Sequence, residues 1–222
     1  MDVSMLLLTL RVAVVATAIN LPIALAVGWL VVKRRIRGRF VIDAVVSLPL
    51  AVPPVAIGLV LLLLLGREGP IGRILHGAFG ADVVFTWFAA ALASAVVSFP
   101  LITRAVMVAM EGVDTRLEMS ARSLGARPWR VFATVTLPLA YRGVLAGVLL
   151  GFVRSLSEFG ATITVAGNIA GRTQTLPLAM YAKIQLREDS AALALAGVSL
   201  GLAVATLLVH NWLLERARGR VA

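Results

Sequence analysis

Five apolar stretches dominate the chain, at 5–32, 40–65, 83–110, 139–166 and 191–214, and polar residues collect between them. A helix needs about 20 residues to cross a hydrocarbon core of about 30 Å, so each stretch predicts a membrane-spanning helix. The first three contain prolines: Pro22, then Pro49, Pro53 and Pro54, then Pro100. Proline at membrane depth is tolerated where neighbouring groups re-satisfy the carbonyls it frees. The Pro49, Pro53 and Pro54 cluster predicts either a simple kink or the wall of a pathway. Two intervals carry weaker elements. Residues 66–82 are glycine-rich around an amphipathic piece, 71–79, that suits the membrane interface. Residues 167–190 hold Leu176-Pro177-Leu178-Ala179-Met180-Tyr181, which is too short to span. It either dips back into the protein or belongs to an incomplete sixth crossing. The opening Met1-Asp2-Val3-Ser4 lacks the basic region of a secretory signal, so the first run reads as a retained span. The expected fold is an all-α integral membrane bundle of five helices, or six, in one domain covering 1–222.

The most polar interval, 111–138, lies between two spans and must sit in water. Thr115-Arg116-Leu117-Glu118 reads as a capping box, in which Thr115 and Glu118 close a helix N-terminus. Leu117, Ala121 and Leu124 then share one helical face. Gly125 suits the position just past the helix end, and Pro128 can start a second short helix because its missing N–H costs nothing there. The prediction is a helix–turn–helix elbow that presents an apolar and cationic knob to a soluble partner.

Composition agrees with a membrane protein: 60% of the 222 residues are hydrophobic, 14% are charged, and the mean hydropathy is +0.96. The net charge of +10 could suggest nucleic acid, but its distribution points to lipid and topology. Thirteen cations line one set of intervals: Lys33, Arg34, Arg35, Arg37, Arg39, Arg116, Arg122, Arg127, Arg130, Arg142, Arg216, Arg218 and Arg220. The opposite set holds five: Arg67, Arg73, Arg172, Lys183 and Arg187. The positive-inside rule then places the N-terminus outside, with the elbow and C-terminus in the cytoplasm.

Catalytic chemistry is sparse. No cysteine exists to form a disulfide, a thiolate metal site or a nucleophile. The two lysines, Lys33 and Lys183, lie outside any P-loop pattern, and His76 and His210 belong to distant segments, with His210 expected at the interface. The fourth stretch carries Arg154 and Glu158 at i, i+4 spacing, which lets them pair. Ionised groups inside a span are costly and are functional candidates by default, so the pair either braces helices or takes part in gating. Ser155, Ser157, Thr162 and Thr164 stand nearby, with Ser94 and Ser98 on the third stretch. Such hydroxyls can donate to a passing oxyanion without trapping it, or bond back to their own helix.

The elbow resembles the coupling-helix signature of binding-protein-dependent ABC import permeases. That signature runs Glu-Ala-Ala, three residues, Gly, nine residues, Ile, one residue, Leu-Pro. Gly125, Val135 and Leu137-Pro138 fall on the matching positions. Met119-Ser120-Ala121 replaces Glu-Ala-Ala, and a glutamate stands one residue earlier, at Glu118. Most of the chain is similar to the permease subunits of molybdate ABC importers, through Leu48 to Val55, Ser98 to Arg104, Glu111 to Asp114, and Ser157 to Thr164. Asn168-Ile169 and Leu176 to Tyr181 extend the likeness. It implies an inner-membrane homodimer of a bacterium, with an oxyanion pathway on the two-fold axis. Two cytoplasmic ATPase subunits, which use ATP and Mg, would dock on the elbows through Glu118, Met119, Ser120, Ala121, Gly125, Ala126, Val135, Leu137 and Pro138. An extracytoplasmic binding protein would deliver the anion, and this chain would bind no cofactor or nucleic acid. Gate candidates are Pro49, Pro53, Pro54, Ser94, Ser98, Thr162 and Thr164. Sulfate or tungstate is the alternative cargo. A passive anion channel is the rival class, and it has no need of a docking elbow.

Overall fold

The computed structural model describes residues 3–33 and 38–218 as helices joined by short turns. Of the cations that set the expected orientation, Arg34, Arg35, Arg37 and Arg220 lie outside the described residues, as do the side chains of His210, Arg216 and Arg218. The first stretch is α1 (Val3–Gly28), with Pro22 inside it, and its last turn widens to a π-helical turn at Trp29–Lys33. The second stretch forms two helices, α2 (Arg39–Ala51) and α3 (Pro54–Leu65), bent by 106° at Val52 and Pro53. Pro54 opens α3 at a position where an N–H is not needed. The amphipathic piece is α4 (Pro70–Phe79). It folds back so closely on the end of α3 that a Cβ at Gly72 would sit 1.9 Å from the Gly66 carbonyl oxygen. Only glycine fits there.

The third stretch is α5 (Trp87–Glu111), started by a Thr86 cap whose hydroxyl accepts from the Ala89 N–H. The elbow comprises α6 (Thr115–Ser123) and α7 (Pro128–Val131), which runs through a second π-helical turn at Phe132–Thr136 into α8 (Leu137–Leu156). The fourth stretch does not continue to its predicted end, because the chain breaks at Ser157 and restarts as α9 (Gly160–Val165). Then come α10 (Leu176–Gln185) and the final helix α11 (Asp189–Arg218). Among the described residues four helices are long and apolar enough to cross a bilayer, five spans if the bent α2–α3 pair counts as one. At 10 residues α10 rises about 15 Å, half a crossing, so it adds no sixth span.

α5 is the central helix, held between α1 and α8. Close approach to α8 comes from Gly143, Gly147 and Gly151, four residues apart on one face. A Cβ on these would lie 2.4 Å from Ala109 Cβ, 2.6 Å from Ala105 Cβ and 2.2 Å from Ile102 Cγ1. Small residues at four-residue spacing let backbones touch, and in lipid that close packing drives helix association. Asn20 ties α1 to α5 by donating to the Ala95 carbonyl at 2.9 Å and the Ser98 hydroxyl at 3.0 Å. α3 packs on α9 through Gly58, and α10 on α11 around Leu176, Ala179 and Leu195. Large apolar side chains such as Leu7, Leu63, Leu193 and Leu200 point outward, which suits a hydrocarbon solvent.

Candidate functional site

The elbow is built by its own sequence, with one change from the expected cap. Asp114 caps α6, its carboxylate accepting from the Arg116 N–H at 2.8 Å, and Thr115 is already helical. Asp114 outcompetes Thr115 because it sits one residue before the first helical residue, where a side-chain oxygen meets the free N–H groups. At the far end Gly125 adopts φ +85°. Its N–H bonds to the Arg122 carbonyl at 2.9 Å, and the Ala126 N–H to the Ala121 carbonyl at 3.1 Å. This double closure is the Schellman arrangement, and a left-handed residue suits its turn. The resulting surface exposes Leu117, Met119, Leu124 and Trp129 beside Arg116, Arg122, Arg127 and Arg130. Leu124 is 89% exposed. Ser120 is exposed and bonds back to the Arg116 carbonyl, while Ala121, Ala126, Val135 and Leu137 are half-buried and Pro138 is exposed.

Glu118 does not belong to that surface. It turns inward, is 5% exposed, and accepts from two groups: Lys33 Nζ at 3.0 Å and the Thr136 hydroxyl at 2.6 Å. Both partners are the last residue of a π-helical turn, one ending the first span and one leading into α8. Such turns widen the backbone locally and often occur at functional sites. The elbow is thus pinned to two spans through one carboxylate. Beside it lies a polar cavity of about 810 Å³ lined by Lys33, Arg39, Glu111, Glu118 and Arg122, with Arg39 and Glu111 forming an ion pair. Sequence reading missed Lys33 and Thr136, since no spacing rule joins residues 85 and 18 positions from Glu118. The one available signal was a lysine at a span's end, among only two in the chain.

Away from the elbow, two interrupted helices meet. The α2–α3 break holds Val52 and Pro53, and Pro49 lies one turn earlier. The α8–α9 break holds Ser157, Glu158 and Phe159. They touch at Gly160, where a Cβ would stand 3.1 Å from Pro54 Cβ and 3.3 Å from the Val55 nitrogen. Arg154 Nη2 and Glu158 Oε2 are 2.8 Å apart, Glu158 being 3% exposed, and its other oxygen accepts from the Ala161 N–H at 2.9 Å. Glu158 therefore both pairs with Arg154 and caps the start of α9. Thr164 bonds back to the Gly160 carbonyl at 3.0 Å. Ser98 gives its proton to the Ser94 carbonyl at 2.7 Å and lies 3.1 Å from the Ser155 hydroxyl, which completes a polar chain from α1 through α5 to α8. The buried hydroxyls of Ser94 and Thr162 have no hydrogen-bond partner among the described residues. Ser94 and Ser98 lie on the central helix, and Ser98 reaches the last turn of α8, beside the α8–α9 break, through Ser155.

Residues 20–219 match the model of the binding-protein-dependent transport system inner membrane component family. The chain belongs to that family. This permease is 48% identical to the molybdenum transport system permease protein ModB of Haemophilus influenzae, over 100% of its own length and 97% of that protein's. It is 37% identical to the sulfate transport system permease protein CysT of Escherichia coli, over 96% of this chain and 76% of the other. Its fold matches a bacterial ABC transporter involved in the import of the acidic polysaccharide alginate, with a TM-score of 0.75 at 16% identity, over 96% of this chain and 79% of that one. The permease is a multi-pass membrane protein of a binding-protein-dependent importer, consistent with the helices described above.

Proposed function

We propose that this permease is the membrane subunit of an ATP-driven molybdate importer, working as a homodimer in a bacterial inner membrane. The exposed knob of Leu117, Met119, Leu124 and Trp129 carries the reading, because it is apolar, lies outside the membrane core and is anchored through Glu118 to α1 and α8. An ATPase subunit that grips the knob moves two spans at once. Two such ATPases, using ATP and Mg, dock on the cytoplasmic elbows, and an extracytoplasmic binding protein delivers the anion at the other face. The N-terminus is outside and the C-terminus cytoplasmic. Cargo identity follows the molybdenum relative, which matches more of the chain at higher identity than the sulfate relative does.

The pathway reading centres on the two breaks. Backbone outside regular helix is tolerated at membrane depth only where protein buries it or water lines it. Val52, Pro53 and Ser157 are exposed in the single chain, so a second copy or an aqueous path must face them. Pro49, Pro53, Pro54, Thr162 and Thr164 form this gate, with Arg154 and Glu158 held neutral behind it. Ser94 and Ser98 brace the central helix that supports it. The deciding experiment measures uptake of molybdate and of sulfate into vesicles, with and without ATP, the ATPase subunit and the binding protein. ATP-dependent molybdate uptake that needs all three components is the expected result. Uptake without ATP would make the chain a passive channel, and sulfate uptake in place of molybdate would reassign the cargo.

A further inference from the structure

At the membrane face opposite the elbow, Arg11 sits on the wrong side of its helix. The outward stripe of α1 reads Val3, Leu7, Arg11, Val14, Ala18 and Pro22, every one exposed, and Arg11 is the only charge between residues 3 and 32. Ionisable residues within spans normally turn toward the bundle or pair with an opposite charge. Arg11 does neither. It lies about 12 Å along the helix from Val3, close enough to the end for its long side chain to reach the headgroup level. Its guanidinium stacks 3.6 Å above the ring of Trp87, the first residue of α5. Tryptophan favours the membrane–water interface, and a cation over its face is fixed in position.

A cavity of about 550 Å³ opens beside this stack. One wall is apolar, from Met5, Leu7 and Leu8, and the polar rim is formed by Arg11 and by Arg172 of the α9–α10 turn. Among the described residues no carboxylate lines it, and neither arginine has an ion-pair partner. The neighbouring amide of Gln174 is already donated to Asn168. Two guanidiniums above an apolar groove match a phosphodiester with its acyl chains, since arginine forks bind phosphate oxygens in pairs.

We propose that this cavity is a binding site for an anionic phospholipid, whose phosphate lies between Arg11 and Arg172 and whose chains follow the Leu7–Val14 stripe. With no carboxylate among the described lining residues to receive an ammonium, the site disfavours zwitterionic headgroups. The assignment is independent of the transported anion. Its test uses the full-length chain in detergent, stripped of lipid and titrated with phosphatidylglycerol, phosphatidylcholine or inorganic phosphate, and read by native mass spectrometry. Phosphatidylglycerol is retained over phosphatidylcholine, and inorganic phosphate at equal concentration does not displace it. Arg11→Gln and Arg172→Gln each weaken retention about tenfold, the effect of losing one charge-assisted contact. Arg172 lies in an exposed turn, so its variant reads the site without touching a span. Equal retention by wild type and both variants overturns the proposal, as does equal retention of the two lipids. Displacement by inorganic phosphate would make it a small-anion site instead. Loss of the dimer with lipid retention unchanged would assign the arginines to a second copy.

Discussion

Two buried glutamates stand at opposite ends of α8, and they do different work with the same chemistry. Glu118 is held by Lys33 and Thr136, and Glu158 by Arg154 and the Ala161 N–H. Each carboxylate has one cation and one neutral donor, which is the minimum that makes burial of a charge tolerable. Their partners differ in reach. Among the described residues Glu158 bonds only to those three and four positions away, and it shapes one local break. Glu118 joins three segments that the chain brings together only on folding. A local pair can form with its helix, whereas a long-range pair reports whether the elbow is seated on the spans.

The largest effect is expected from stranding one member of the long-range pair. Lys33→Met leaves the Glu118 carboxylate in a pocket where both side chains are 7% exposed. Removing one partner of a buried pair costs about 3–5 kcal/mol. Lower melting temperature in detergent and loss of ATPase-coupled uptake are the expected readouts. Replacing both residues together, Lys33→Met with Glu118→Leu, should recover most of the stability while uptake stays low, because packing returns but the tether does not. A double variant that transports like wild type would mean that the pinned elbow contributes no coupling.

Gly125→Val probes the same elbow without touching the carboxylate. A Cβ at Gly125 meets nothing within 4 Å among the described residues, so the cost comes from the backbone, φ +85°. Forcing an L-residue into the left-handed region costs about 1–2 kcal/mol. That is enough to tilt α6 toward another closure. Co-purification of the ATPase should fall more than melting temperature does. Unchanged co-purification and ATPase stimulation would remove the elbow as the docking element.

The contrast between the two glutamates also marks what the chain's pattern reveals. Helix positions followed from apolar run length, and the elbow from Gly125, Pro128 and the polar interval, since those signals are local. Arg154 and Glu158 were readable because i, i+4 spacing brings side chains together without knowledge of the fold. Two features escaped. The break at Ser157 interrupts a run that remains apolar on both sides, so hydropathy passes through it, whereas the bend at Pro53 was marked by the Pro49, Pro53 and Pro54 cluster. Thr115 and Glu118 satisfied a capping pattern, yet Asp114 took the cap, and burial against Lys33 claimed the glutamate. Tertiary contact overrode local grammar at Glu118, whose partners Lys33 and Thr136 lie far away in the chain. The Gly143, Gly147 and Gly151 ladder was present in the sequence but gains meaning only when α5 is known to be its neighbour.

Glu158→Gln should have a smaller effect than the matching change at Glu118. The amide oxygen can still accept from the Ala161 N–H, so α9 keeps its cap. The stranded Arg154 side chain is 29% exposed and can reach a polar environment, whereas Lys33 cannot. About 1 kcal/mol, the net value of one hydrogen bond, is the expected cost. Melting curves of Glu118→Gln and Glu158→Gln recorded side by side check it. Equal losses would show that reach makes no difference, and the comparison would fail.

A third carboxylate supplies the exposed reference. Asp82, between α4 and α5, accepts from Arg67 at 2.9 Å and lies 3.1 Å from His76 Nδ1. The hydrogen bond from Arg67 holds its carboxyl below the ordinary value of 3.8, with the Arg67 and His76 charges acting in the same direction against desolvation. A depressed folded value means that the tie contributes fully above pH 3.8 and is lost as pH falls through the lower, folded value. Since both groups are in water, salt screens the pair and the global melt should barely change in Asp82→Asn. The local effect is what remains: hydrogen exchange in α4 should quicken below pH 3.8 in the wild type and lose that pH dependence in Asp82→Asn. A melting loss in Asp82→Asn as large as that of Glu118→Gln would mean that partner count, and not burial or reach, sets the value of a carboxylate in this protein.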